Sequence, residues 1–108
     1  MSEIHYTPTI LLVDDSRENL NLLISVLKKI NVKIISAISG PEALIVAKGI
    51  ELALAIVDVR MPGMSGYELA VKLNEKREEN KVPVIFLTAN YFDQEEELKG
   101  YSSGAVDY

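Results

Sequence analysis

Three carboxylates stand where they could act together. Asp14 and Asp15 close a short apolar run, Thr9-Ile10-Leu11-Leu12-Val13. Asp58 closes a second run that begins at Leu52, and a turn containing Pro62, Gly63 and Gly66 follows it. Thr88 closes a third, which begins at Val82. Each run is apolar without alternation, the pattern of a strand buried on both faces in a parallel sheet. All such strands end along one edge, where open α/β sheets bind their ligands. With the first and third strands as neighbours, the three carboxylates converge within a few ångströms. Like charges at that range raise at least one pKa. A bound cation makes sense of the cluster. The chain has no Cys, and its one His, His5, lies in the polar start. Oxygen-only donors suit Mg²⁺ or a similar hard ion. Mg²⁺ fills its shell with water and phosphate oxygens. A phosphate ligand or a phosphorylated carboxylate is therefore expected beside it, with the Thr88 hydroxyl as a donor to a phosphate oxygen. Taken alone, Asp58 has a plainer reading as a turn or N-cap residue. The convergence is what sets that reading aside.

The elements that hold these residues alternate along the chain. Strand one spans 9–13. Ser16 is an N-cap for the first helix, in which Leu20, Leu23, Ile24, Leu27 and Ile30 repeat on one helical face. Lys28 and Lys29 suit its C-terminal end. A shorter, more polar strand spans 32–37. The second helix starts with a Ser39 cap, Pro41 and Glu42. Ala43, Leu44 and Ala47 form its apolar face, and Gly49 ends it. Strand three spans 52–58. A third helix is predicted over 65–79, with Tyr67 or Ala70, Leu69 and Leu73 facing inward and a densely charged, solvated end. Strand four spans 82–88, with Pro83 at its start. An acid-rich fourth helix follows over 93–99, then a turn over 100–108. The order βαβαβαβα predicts right-handed crossovers and a parallel sheet with helices on both faces.

Composition narrows the possible functions. A chain of 108 residues is one small domain with a modest core. Its formal net charge of -5 argues against direct nucleic-acid binding, which needs a basic patch. The start has no basic region followed by an apolar one, and no run reaches the length of a membrane span. The expectation is a cytoplasmic protein.

The motifs together resemble the receiver domain of bacterial two-component response regulators. The residues that carry the resemblance are Asp14-Asp15, Asp58-x-x-Met61-Pro62-Gly63-Met64-Ser65-Gly66, Leu87-Thr88-Ala89 and Gly104-Ala105-x-Asp107-Tyr108. It covers essentially the whole chain, 1–108. It implies a flavodoxin-like doubly wound sheet in the order 2-1-3-4-5. It implies Asp58 as phosphoacceptor, attacking a phosphoryl group on a histidine of a sensor kinase or phosphotransfer domain. Mg²⁺ would be bound by Asp15, Asp58 and the backbone carbonyl of Arg60, with Asp14 acting through water. Mg²⁺ and Thr88 would stabilise charge on the transferring phosphoryl group. Arg60 and Asn90 would tune the phosphoryl lifetime. Thr88 and Tyr108 would form the switch that controls an output domain or partner. The chain would be no enzyme beyond its own phosphoryl transfer and dephosphorylation.

One part of the pattern is missing. Receivers carry a Lys near the end of strand five, and here it is due three positions after Tyr108. The reading is a receiver domain truncated at its C-terminal end, without most of its fifth strand and without its fifth helix. Strand four would then be a bare apolar edge, inviting self-association. Two other functions compete with this reading. A Mg²⁺-dependent phosphohydrolase would want an acid two residues after its nucleophile, and Arg60 stands there. A receiver-like interaction module that is not phosphorylated would explain the missing Lys but not the intact acid trio.

Overall fold

The apolar runs form the middle of a parallel sheet. A computed structural model of the chain describes residues 6–87 and, as backbone, 105–107. Strands β1 (Thr9–Val13), β2 (Lys33–Ala37), β3 (Leu54–Asp58), β4 (Val84–Leu87) and β5 (Ala105–Asp107) lie in the order β2-β1-β3-β4-β5. All four pairings are parallel. This is the doubly wound order that the resemblance implied. Helices α1 (Arg17–Leu27), α2 (Gly40–Val46) and α3 (Gly66–Asn74) connect them. The helix expected over 93–99 lies outside the described residues.

The two faces of the sheet divide the core. Leu11, Val13, Ala55, Val57, Val84 and Phe86 pack with Ala43 of α2, its C-cap Ala47, and Leu69, Ala70 and Leu73 of α3. Both Tyr67 and Ala70, offered as alternatives for the inward face, are buried. Tyr67 meets Phe86 edge to face at 4.6 Å between centroids, a favoured aromatic geometry. On the opposite face Ile10 and Leu12 pack with Leu20 of α1, joined by half-buried Leu23, Ile24, Leu27, Leu54 and Ile56.

Serines set the three helix starts. Ser16, Ser39 and Ser65 each accept a backbone N–H from three residues on, Asn19, Glu42 and Glu68, which satisfies one free donor of the first turn. Glu42 also reaches back to the Ile38 N–H at 2.9 Å.

Three expectations are corrected. Ile30 is not part of the α1 face. The helix ends at Leu27 with Lys28 as its cap, and Ile30 is 56% exposed beyond it. The third helix ends at Asn74, not at 79. Asn74 is drawn to the start of β4: its Oδ1 accepts the Val82 N–H at 2.6 Å and its Nδ2 donates to the Val82 carbonyl at 3.1 Å. Finally, β4 is not a bare edge. Three residues of β5 lie along it, pairing Val84 with Ala105 and Ile85 with Asp107 across an irregularity in register. Unpaired edge groups are satisfied by such pairing.

Candidate functional site

Register brings the acids together. β1 lies beside β3 with Val13 opposite Val57, so Asp14 and Asp58 are the next residues on adjacent strands. On its other side, Asp58 pairs with Leu87, the residue before Thr88, and the Val59 N–H donates to the Leu87 carbonyl at 2.9 Å. Asp14, Asp15 and Asp58 each present a carboxylate oxygen, and these oxygens lie within 4.8 Å of one another. Asp14 is buried, Asp58 half-buried and Asp15 exposed.

Each buried charge has a definite support. The Asp14 Oδ1 accepts the Ser16 N–H at 2.9 Å. The Asn19 amide donates to both Asp14 oxygens, at 3.3 and 3.5 Å. Asp58 accepts the N–H of Arg60 at 3.3 Å. Burial, and then the neighbouring Asp14 charge, push the Asp58 carboxyl up from 3.8 to about 6, against the opposing Arg60 N–H. Asp15 adds to the rise. This is the raised pKa that three converging carboxylates predict.

The turn after Asp58 is built for close approach. Gly63 has φ +80°, a conformation that glycine adopts without a side-chain penalty. The Gly66 N–H donates to the Val59 carbonyl at 2.9 Å. A Cβ on Gly66 would run into the Asp58 carbonyl oxygen. The first residue of α3 therefore rests on the end of β3 itself. Below it, buried Val59, Met61 and Tyr67 fix the turn in the core.

Of the residues singled out, Asp14, Asp15 and Asp58 are brought together, and Arg60 contacts Asp58 through its backbone N–H. Thr88, Asn90, Tyr108 and His5 lie outside the described residues. Asn19 was missed as a site residue. Its signal was a polar amide five residues after the first acid, in the first turn of a capped helix. The donor set fits a hard divalent cation: it is all oxygen, with like charges held closer than they would settle unaided.

A family model described as the response regulator receiver domain matches residues 10–108. The chain belongs to the receiver family. It is 38% identical over 101 residues to the transcriptional regulatory protein YvrH of Bacillus subtilis, covering 93% of this chain and 41% of that protein. It is also 38% identical to a probable cyclic di-GMP phosphodiesterase of Vibrio cholerae, covering 93% of this chain and 22% of that protein. The receiver thus spans less than half the length of these two curated relatives. Among solved structures it resembles the response regulator TrrA of Thermotoga maritima, described in complex with Mg²⁺-BeF. The TM-score is 0.77 at 29% identity, covering 94% of this chain and 87% of that one. As a receiver the chain is a signalling domain, and among the described residues no helix is long and apolar enough to cross a membrane.

Proposed function

We propose that this receiver accepts a phosphoryl group on Asp58 from a phosphohistidine of a sensor kinase or phosphotransfer domain. A carboxylate oxygen of Asp58 forms the new O–P bond while the P–N bond to the donor histidine breaks, and the electron pair returns to the imidazole. The observation that carries this reading is the trio of Asp14, Asp15 and Asp58 oxygens within 4.8 Å of one another at the strand ends. Asp15, Asp58 and the Arg60 carbonyl would hold Mg²⁺, with Asp14 acting through water. The chemistry supplied by Mg²⁺ when bound is neutralisation of charge on the transferring oxygens. Asn19 and the Ser16 N–H hold the Asp14 carboxylate in place. Thr88 follows the residue paired with Asp58, so its hydroxyl is the natural donor to the phosphoryl group. Arg60 and Asn90 set the lifetime of the aspartyl phosphate. Thr88 and Tyr108 carry the switch to an output domain or partner, in the cytoplasm. The chain catalyses only its own phosphorylation and dephosphorylation.

Beryllofluoride with Mg²⁺ tests this, because on a carboxylate it stands in for the aspartyl phosphate. Amide shifts are followed in the chain and in a form extended through the Lys due three positions after Tyr108. The expected result is a response around Asp58 in the extended form that Asp58→Asn abolishes. Mg²⁺ binding with no beryllofluoride response in either form would overturn phosphorylation and leave the interaction-module reading.

A further inference from the structure

Gly40 is buried at the first position of α2, and the turn after Asp58 explains why a side chain has no place there. Met64 of that turn fills the space. A Cβ at Gly40 would lie 2.5 Å from the Met64 Sδ and 2.9 Å from both its Cγ and its Cβ, closer than side chains approach one another. The thioether end can swing aside, since Met is unbranched and adaptable. The Met64 Cβ cannot, because it moves only with the backbone of the turn. Met64 is half-buried and packs against the core of this face. Two residues on, Gly66 lies against the Asp58 carbonyl and donates its N–H to the Val59 carbonyl. A push at Gly40 is therefore delivered through Met64 to the end of β3.

The same junction holds the other acid-bearing strand. Ala37, buried at the end of β2, pairs with Val13, and its carbonyl accepts the Asp14 N–H at 3.2 Å. Between Ala37 and Gly40 the chain is pinned by a reciprocal cap. The Glu42 Oε1 accepts the Ile38 N–H at 2.9 Å, and the Ser39 Oγ accepts the Glu42 N–H at 3.2 Å. Such a cap fixes where a helix starts. We propose that the β2–α2 junction, residues 37–40, is a positioning bracket for the acid trio. The Ala37 carbonyl holds the Asp14 backbone, and the bare face of Gly40 seats Met64 and with it the turn after Asp58. Gly40 and Met64 are positioning residues: neither offers a hard oxygen donor to a cation. Small displacements of reacting groups are costly, so the seat matters for chemistry. That consequence rests on Asp58 being the phosphoacceptor; the bracket itself does not.

Amide shifts of metal-free Gly40→Ala test the bracket without any ligand. The Asp58, Val59 and Arg60 amides should be displaced, although they are distant from Gly40 in sequence. Met64→Ala empties the seat and should move the same amides less. In the Gly40→Ala background it makes room for the new methyl, and those amides should return toward their wild-type positions. Two independent injuries would add instead of cancelling. Ile45→Gly, at a 74% exposed position of α2, weakens the helix without adding bulk and should leave the three amides in place. In the form extended through the Lys due three positions after Tyr108, Gly40→Ala should weaken beryllofluoride binding at least about tenfold, measured well below the melt, and Met64→Ala should restore part of that loss. Should Gly40→Ala fail to fold, recovery of folding in the double variant reads the seat, and Met64→Ala alone reads its coupling to Asp58. The proposal fails if the shifts of the single variants stop at α2 and Met64, if the double variant is the sum of the two, or if Ile45→Gly moves the Asp58 amide as far. Displaced amides in Gly40→Ala, with a wild type that takes no beryllofluoride, would uphold the bracket and overturn the phosphoacceptor reading.

Discussion

The two ends of the sheet are built on opposite terms. At the carboxyl end, Asp14, Asp15 and Asp58 face one another, and burial together with the neighbouring charges pushes the Asp58 carboxyl up to about 6. At the amino end, side chains close off backbone groups instead. Asn74, 2% exposed, clasps Val82 through two hydrogen bonds. Arg77 ties the end of α3 to the segment before β3 through the Ala47 and Ile50 carbonyls. The Lys81 ammonium donates to the Asn74 carbonyl at 3.2 Å. One end gathers like charges, and the other closes its backbone groups with side chains of its own. The comparison teaches where stability is gained and lost: substitutions at the amino end should destabilise the chain, and removing a charge from the acid trio should stabilise it.

The largest expected effect is at Asn74. Asn74→Ala leaves the buried Val82 N–H and carbonyl without partners. Each unsatisfied group costs about 1–3 kcal/mol, so a loss of about 3 kcal/mol is expected in urea unfolding, with the beryllofluoride response of the still-folded fraction retained. A loss below about 1 kcal/mol would mean that the amino end is not held by this clasp.

Gly66→Ala comes next and reaches the other end. The new methyl meets backbone, the Asp58 carbonyl, which has no side-chain freedom to yield. Overpacking of this kind costs about 1–3 kcal/mol. Unlike Asn74→Ala, it should also displace the end of β3 and weaken the beryllofluoride response. Wild-type response in this variant would show that the turn and Asp58 move independently. Arg77→Met should cost less, about 1–2 kcal/mol, because its carbonyl partners are partly within reach of water. Chemical denaturation measures it, and no change in the response of Asp58 is expected.

Much of this was legible in the chain. The apolar runs ending in Asp14-Asp15, Asp58 and Thr88 are unalternated, so they marked central strands, and parallel order put their ends on one edge. Ser16 and Ser39 marked the first two helix starts. What was not legible depends on partners distant in sequence or on where a period stops. The helical spacing of α1 continues to Ile30 although the helix does not. The charged stretch after Asn74 reads as helix, because nothing local reveals that Asn74 is engaged eight residues onward with Val82. Asn19 is an ordinary first-turn residue until the strand end places Asp14 beside it. Three residues of β5 were too short a signal to announce that β4 would be paired.

The smallest effect is the one that most sharpens the comparison, because its sign is opposite. The folded value of Asp58, about 6, lies above its ordinary 3.8. A proton there favours the native state, so this contribution is fully present below the ordinary value and is lost as pH rises through about 6. Asp58→Asn removes the charge that causes the loss. In metal-free solution the variant should therefore melt higher than wild type at pH 7.5, with the gap closing as pH falls toward 4.5. Solvent screening at this half-buried site keeps the gap below about 1 kcal/mol. Adding Mg²⁺ should reverse the order, because a ligand bound only to the native state stabilises it, and the Asn variant has lost one anionic ligand. Matched melts at the two pH values, with and without Mg²⁺, read all of this. Equal melting of the two proteins at every pH would show that the three acids do not strain one another, and the contrast between the two ends of the sheet would then fail.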